Sequence, residues 1–282
     1  MGIVSALGND VETAFSRLHE FENCVEVVPE LAGYKGLSSH LAARCRFVRP
    51  ERYTRKVVRT MGDVSVYALN ATEQAVAQAG LAPEEISGGR CGVAYGSCSG
   101  SIPALTDFYS MLFTHEVKNI TSGTYLKLMP QTTAVNLSVF YQTTGRLIAT
   151  GTACTSGSLA IGSAYEAIKF GLQDIMLAGG AEEFSATQVA IFDTLYATSL
   201  RNDAPKTTPA PYDRDRDGLV IGDGAGTFVL EELEHAKARG AKILAEVIGF
   251  AMNTDGTHVT NPNAATMAQC LKAALADARL AP

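Results

Sequence analysis

The chain has 282 residues, 46% hydrophobic and 18% charged, which suits a globular protein with a large core in one domain or two. Its formal net charge of −6 argues against nonspecific nucleic-acid binding. No apolar run approaches the ~20 residues of a membrane span, and the opening MGIVSALGND has neither the basic region nor the apolar stretch of a secretion signal.

In chain order, an amphipathic stretch at 11–18 follows Asn9 and Asp10, either of which suits a helix cap. A longer one at 62–79 stops at Gly80, a natural C-terminal breaker. Short apolar runs at 92–95 and 147–150 read as buried strands, and a helix is expected at 158–170. Further strands are expected at 175–178, 226–230 and 243–250, and a last helix at 264–278. Between them, 202–217 carries three prolines and several charges without periodicity, and reads as a loop. The alternation predicts an α/β protein. A faint internal echo pairs 2–4 and the helix after it with 248–250 and the helix after that, as in a fold of two similar halves.

The six cysteines, Cys24, Cys45, Cys91, Cys98, Cys154 and Cys270, form neither CxxC pairs nor a zinc pattern with histidine. With no secretion signal they read as reduced thiols of a cytoplasmic protein, most of them small core residues. Cys154 is different. It lies in Ala149-Thr150-Gly151-Thr152-Ala153-Cys154-Thr155-Ser156-Gly157, after a strand-like run and before a helix-like one. A helix start carries partial positive charge and favours a thiolate, and small neighbours let a carbonyl approach the sulfur. That pattern predicts a nucleophile on a strand-to-helix turn.

Three further segments accompany it. They are AGGAEE at 178–183, PYDRDRDGLVIGDGAG at 211–226 and NTDGTHVTNP at 253–262. With TACTSG, and in this order, they resemble the β-ketoacyl-acyl-carrier-protein synthases, condensing enzymes of the thiolase-like superfamily. Arg55-Lys56-Val57-Val58-Arg59 and the helix after it resemble the elongating (FabB/FabF-type) branch. The resemblance implies a layered αβαβα fold and a decarboxylative Claisen condensation in fatty-acid elongation, with no metal and no cofactor. Cys154 would take the acyl group, and its backbone N–H would belong to the oxyanion hole. The glycine-rich 222–226 is neither a P-loop nor GxGxxG, and reads as close backbone packing.

The resemblance also implies an acyl carrier protein as partner, docked on Arg55, Lys56 and Arg59, and a homodimer. The plainer reading of that basic cluster is a solvated helix face. Phe192 aligns with the family's acyl-pocket wall, although core packing would explain it equally. His258, one of five histidines, lies in a loop that borders the family's site entrance and moves with a gating loop; the plain alternative is a local hydrogen-bonding role.

The family's two catalytic histidine motifs lie downstream of residue 282, and most of its opening strand lies before residue 1. The expectation is therefore a fragment of a longer synthase, truncated at both ends: residues 1–242 as an N-terminal thiolase-like half and 243–282 as the start of the second. Two alternatives accompany the main reading. One is a ketosynthase of a specialised polyketide or aryl-polyene pathway, since 184–198 departs from the housekeeping pattern. The other is a noncatalytic partner subunit, against which the intact cysteine motif speaks.

Overall fold

The structure, a computed structural model, describes residues 1–258 and 261–282. Its strands are β1 (Gly2–Val4), β2 (Glu26–Val27), β3 (Leu41–Ala43), β4 (Cys91–Gly96), β5 (Leu147–Thr150), β6 (Ile175–Glu182), β7 (Ile221–Gly222) and β8 (Gly224–Glu231). Its helices are α1 (Val11–His19), α2 (Asp63–Ala79), α3 (Pro83–Ser87), α4 (Pro103–Thr114), α5 (Ser122–Leu128), α6 (Thr132–Tyr141), α7 (Ser156–Lys169), α8 (Ala186–Thr194), α9 (Leu233–Ala238) and α10 (Ala264–Asp277). Asp10 caps α1 by accepting from Thr13 N–H at 2.8 Å, and Gly80 ends α2 at φ 65°, as expected from their positions.

Five strands form the main sheet in the order β1-β8-β6-β4-β5. Strands β6, β4 and β5 run parallel, while β8 is antiparallel to both β6 and β1. All six residues of β4 are buried, which explains why its sequence is a continuous apolar run rather than an alternating one. The alternation appears in which face each residue serves. Val93, Tyr95, Ile175 and Leu177 point into a core shared with Val64, Leu69 and Leu137 of α2 and α6. Ala94, Met176 and Ala178 point the other way, onto Ala160, Ala164 and Ala167 of α7. Full burial of each larger aliphatic side chain contributes about 1.5–3 kcal/mol. Alanines on both surfaces of the second core bring α7 close to the sheet. A second, small sheet in the order β2-β3-β7 packs near α8, with Val28, Leu31, Ala42 and Val189 between them.

The segment expected as a strand at 243–250 is not one: no described residue forms a ladder with it. Side-chain packing takes the place of strand pairing. The Phe250 ring lies against Gly162 of α7, and Phe250 N–H donates to Asp277 Oδ2 of α10 at 3.1 Å. The internal echo thus keeps its helix but loses its strand in the second copy.

Candidate active site

Cys154 sits where the sequence places it, on the turn between β5 and α7. One turn of 3₁₀ helix, Ala153–Thr155, joins the two. Ser156 closes this turn with its hydroxyl, which accepts from Thr152 N–H at 2.8 Å and donates to Ala153 O at 2.7 Å. Thr150 Oγ1 donates to Ser156 O at 2.7 Å. Within this bracing, Ala153 adopts φ 51°, the left-handed region, which costs an L-residue roughly 1–2 kcal/mol. The strained step projects the next residue outward, and Cys154 is exposed. The buried Cys91 makes the contrast: desolvation pushes its thiol up to about 12.

Glycines at the strand ends permit this approach. A Cβ on Gly96 would lie 2.7 Å from the carbonyl carbon of Ser156, and one on Gly180 would lie 3.2 Å from Gly157 Cα. The first turn of α7 therefore rests directly on the ends of β4 and β6. A side chain at Gly157 itself would meet nothing within 4 Å.

The loop after β4 forms the neighbouring wall. Glu182 Oε2 accepts from Cys98 N–H at 2.9 Å and Ser99 N–H at 3.1 Å, while its Oε1 is buried without a hydrogen-bond partner among the described residues. Burial raises this carboxyl's pKa, and the N–H groups of Cys98, Ser99 and Glu183 oppose the rise. The adjacent Glu183 accepts from Val64 N–H at the start of α2 and from Ser101 Oγ, both at 3.0 Å; burial raises its pKa too. The two carboxylates of AGGAEE thus tie the loop after β4 to β6 and α2. Neither Cys98 nor Glu182 was singled out from the sequence as a site residue. Glu182 lay inside a motif already marked, and the small-residue run Gly96-Ser97-Cys98-Ser99-Gly100-Ser101 was the signal for the loop.

The other expected site residues are placed separately. Phe192 is half-buried in α8. His258 is exposed, and its Nδ1 accepts from Asn261 N–H at 3.1 Å; Val259 and Thr260 of the same motif lie outside the described residues. Arg55, Lys56 and Arg59 are exposed on turns that precede α2, so the solvated helix face expected as their plain reading is corrected to an irregular segment. The segment is anchored by buried Tyr53 and Val58. Among the described residues, these three cations form no ion pair, whereas Arg52 pairs with Glu73 at 2.8 Å. In the charged loop, Asp217 has a structural part: it accepts from Ser199 Oγ and Leu200 N–H, both at 2.9 Å. The glycine-rich run forms part of β7 and β8, and a Cβ on Gly179 would come 2.0 Å from Gly226 O.

Residues 1–236 match the family described as β-ketoacyl synthase, N-terminal domain. The chain belongs to the β-ketoacyl synthase family. It is 35% identical over 277 residues to 3-oxoacyl-[acyl-carrier-protein] synthase 1 of Haemophilus influenzae, covering 98% of this chain and 68% of that one. It is 38% identical over 265 residues to 3-oxoacyl-[acyl-carrier-protein] synthase 2 of Vibrio cholerae, covering 93% and 64%. Among solved structures, a β-ketoacyl synthase from Burkholderia phymatum superposes with TM-score 0.95 at 50% identity, over 99% of this chain and 69% of that one. A type II polyketide ketosynthase, solved in complex with its acyl-carrier protein and bound to the hexaketide, superposes with TM-score 0.83 at 30% identity over 100% and 69%. The fold is that of the thiolase-like ketosynthases, and the members of the family that it resembles are acyltransferases.

Proposed function

We propose that Cys154 is the acyl-accepting nucleophile of a chain-elongating β-ketoacyl-acyl-carrier-protein synthase. The observation that carries this reading is an exposed thiol on the β5–α7 turn, flanked by small residues. The Cys154 sulfur attacks the carbonyl carbon of an acyl thioester. The oxyanion that forms is met by Cys154 N–H, and the carrier's thiol leaves with the acyl group transferred to the cysteine. In the second half-reaction malonyl-carrier protein loses carbon dioxide, and its carbanion attacks the cysteine-bound acyl group. By resemblance, that step draws on the family's two histidine motifs. Residues 1–242 supply the acyl-accepting half of the chemistry and 243–282 open the other half.

Arg55, Lys56 and Arg59 are read as the docking surface for the acidic carrier protein. Three exposed cations without ion-pair partners among the described residues suit electrostatic steering. Phe192 and His258 are read as acyl-pocket and entrance residues. The chain works as a homodimer, for which the free edge of the main sheet at β5 offers the continuation: Leu147 there is 47% exposed. The cytoplasm is the compartment that fits an enzyme of this class, and no helix among the described residues is long and apolar enough to cross a membrane.

The test is labelling with a cerulenin-like epoxide followed by peptide mapping. Label on the Cys154 peptide that disappears in Cys154→Ala is expected; label that persists unchanged in this variant would remove Cys154 from the role. A panel of acyl-carrier primers separates housekeeping elongation from a specialised pathway.

A further inference from the structure

Cys98 and Cys154 are the exposed members of the six free cysteines, and the sheet register brings their two loops together. β4 and β5 run parallel with Gly96 opposite Thr150. Pairing continues beyond the strands, where Ser97 N–H donates to Thr150 O at 3.3 Å. Cys98 is the next residue on one side, and the Thr152–Cys154 turn follows on the other. Neighbouring strands lie about 4.8 Å apart, so the two loops leave the sheet side by side. The Cys98 sulfur lies beside the N–H of Ala153, the residue before Cys154. Its backbone is fixed, because Glu182 holds the amides of Cys98 and Ser99. Gly100, at φ 62°, closes the loop against Leu128 O, where a Cβ would come within 2.2 Å.

We propose that Cys98 is a resolving thiol for Cys154, so that a hydroperoxide converts the pair reversibly into a disulfide and takes the nucleophile out of service. The inference rests on Cys154 being the reactive thiol. The Cys154 thiolate attacks one oxygen of the hydroperoxide; the O–O bond breaks, an alcohol or water departs, and a sulfenic acid remains. The Cys98 thiol then attacks that sulfur. The S–S bond forms, the S–O bond breaks, and hydroxide leaves with the thiol proton as water. Two thiols are oxidised by two electrons, and the peroxide is reduced. Partial desolvation, then the nearby Glu182 and Cys154, hold the Cys98 thiol above its ordinary pKa, which suits a group that reacts second. A dithiol restores both cysteines by exchange.

The experiment uses the full 282-residue chain, treated with hydrogen peroxide, blocked with iodoacetamide and digested without reduction. The expected result is a linked peptide pair containing Cys98 and Cys154, with Cys154 alkylation recovered after dithiothreitol. In Cys98→Ser, Cys154 proceeds to the sulfinic acid, and recovery falls at least about tenfold. Normal alkylation of reduced Cys154, with no linked pair and equal recovery in both proteins, overturns the pairing alone. If reduced Cys154 fails to alkylate faster than Cys24, Cys45 and Cys270, the nucleophile reading fails and the pairing fails with it.

Discussion

The Phe250 ring occupies the space over Gly162 so closely that a Cβ on this glycine would lie 2.0 Å from Phe250 Cε2. This contact joins 243–250 to the helix that begins at Cys154's turn. Gly162→Ala must displace the ring or shift α7. The expected cost is about 1–3 kcal/mol, read as a lower urea midpoint. Pairing the change with Phe250→Leu should recover part of the loss, because the obstructing ring is gone; the absence of any recovery would show that the contact does not limit the fit.

Glu182→Ala leaves the amides of Cys98 and Ser99 without their acceptor, an expected loss of about 1–3 kcal/mol in denaturant unfolding. Glu182→Gln keeps one carbonyl and should lose less. The pH dependence has a definite sign. Burial raises the Glu182 pKa in the folded chain, so its contribution to stability is full below the ordinary carboxyl value and declines as pH rises through the raised one. The glutamine variant should lack that decline, and wild type and variant compared from pH 4 to 7 would reveal it.

Asp277 behaves in the opposite sense. Lys169 bonds it most strongly, and Phe250 N–H and Tyr165 Oη follow; together they lower its pKa. Its contribution is present above the ordinary carboxyl range and lost as pH falls through the lowered folded value. Protection of the α10 amides, relative to the intrinsic exchange rate at each pH, should therefore fall on acidification below pH ~4 in wild type. In Asp277→Asn that protection should already be low at neutral pH.

Reversal of charge at Arg55, Lys56 and Arg59 together should raise KM for a carrier-linked acyl donor about tenfold or more at low salt, with kcat little changed. The gap should narrow as salt rises toward the Debye regime of physiological buffers. A KM that stays the same in the triple variant would move the docking surface elsewhere.

Leu147→Lys places a charge on the free edge of the main sheet. If β5 is where two copies meet, light scattering after size exclusion should show the dimer dissociating at about tenfold higher protein concentration or more. An unchanged dimer would exclude this edge as the interface.

The strands around the site were legible because burial on both faces writes continuous apolar runs, as in β4 and β6, and because Cys154 stands among residues too small for an ordinary core. The helices at 103–141 were not legible in this way. Thr132, Thr133, Ala134, Asn136 and Leu137 of α6 are all buried, so polar and apolar residues share the inward face and the usual helical stripe is blurred. The segment 243–250 misled for a related reason: β-branched and aliphatic residues mark a chain that prefers to be extended, but a ladder also needs a neighbour, which local sequence does not specify. Cys98 carries no signal in the sequence because register, not sequence distance, brings it beside the turn that holds Cys154.

Gly96 ends the most buried strand of the molecule, and Ser156 rests against it. The turn that carries Cys154 is thereby seated on a fully buried strand, the kind of element that opens only with the whole fold. Amides there should exchange only with global unfolding, however exposed the sulfur is. Any opening and closing that admits a long acyl chain must then belong to the surrounding loops, which travel to a thiol that stays still.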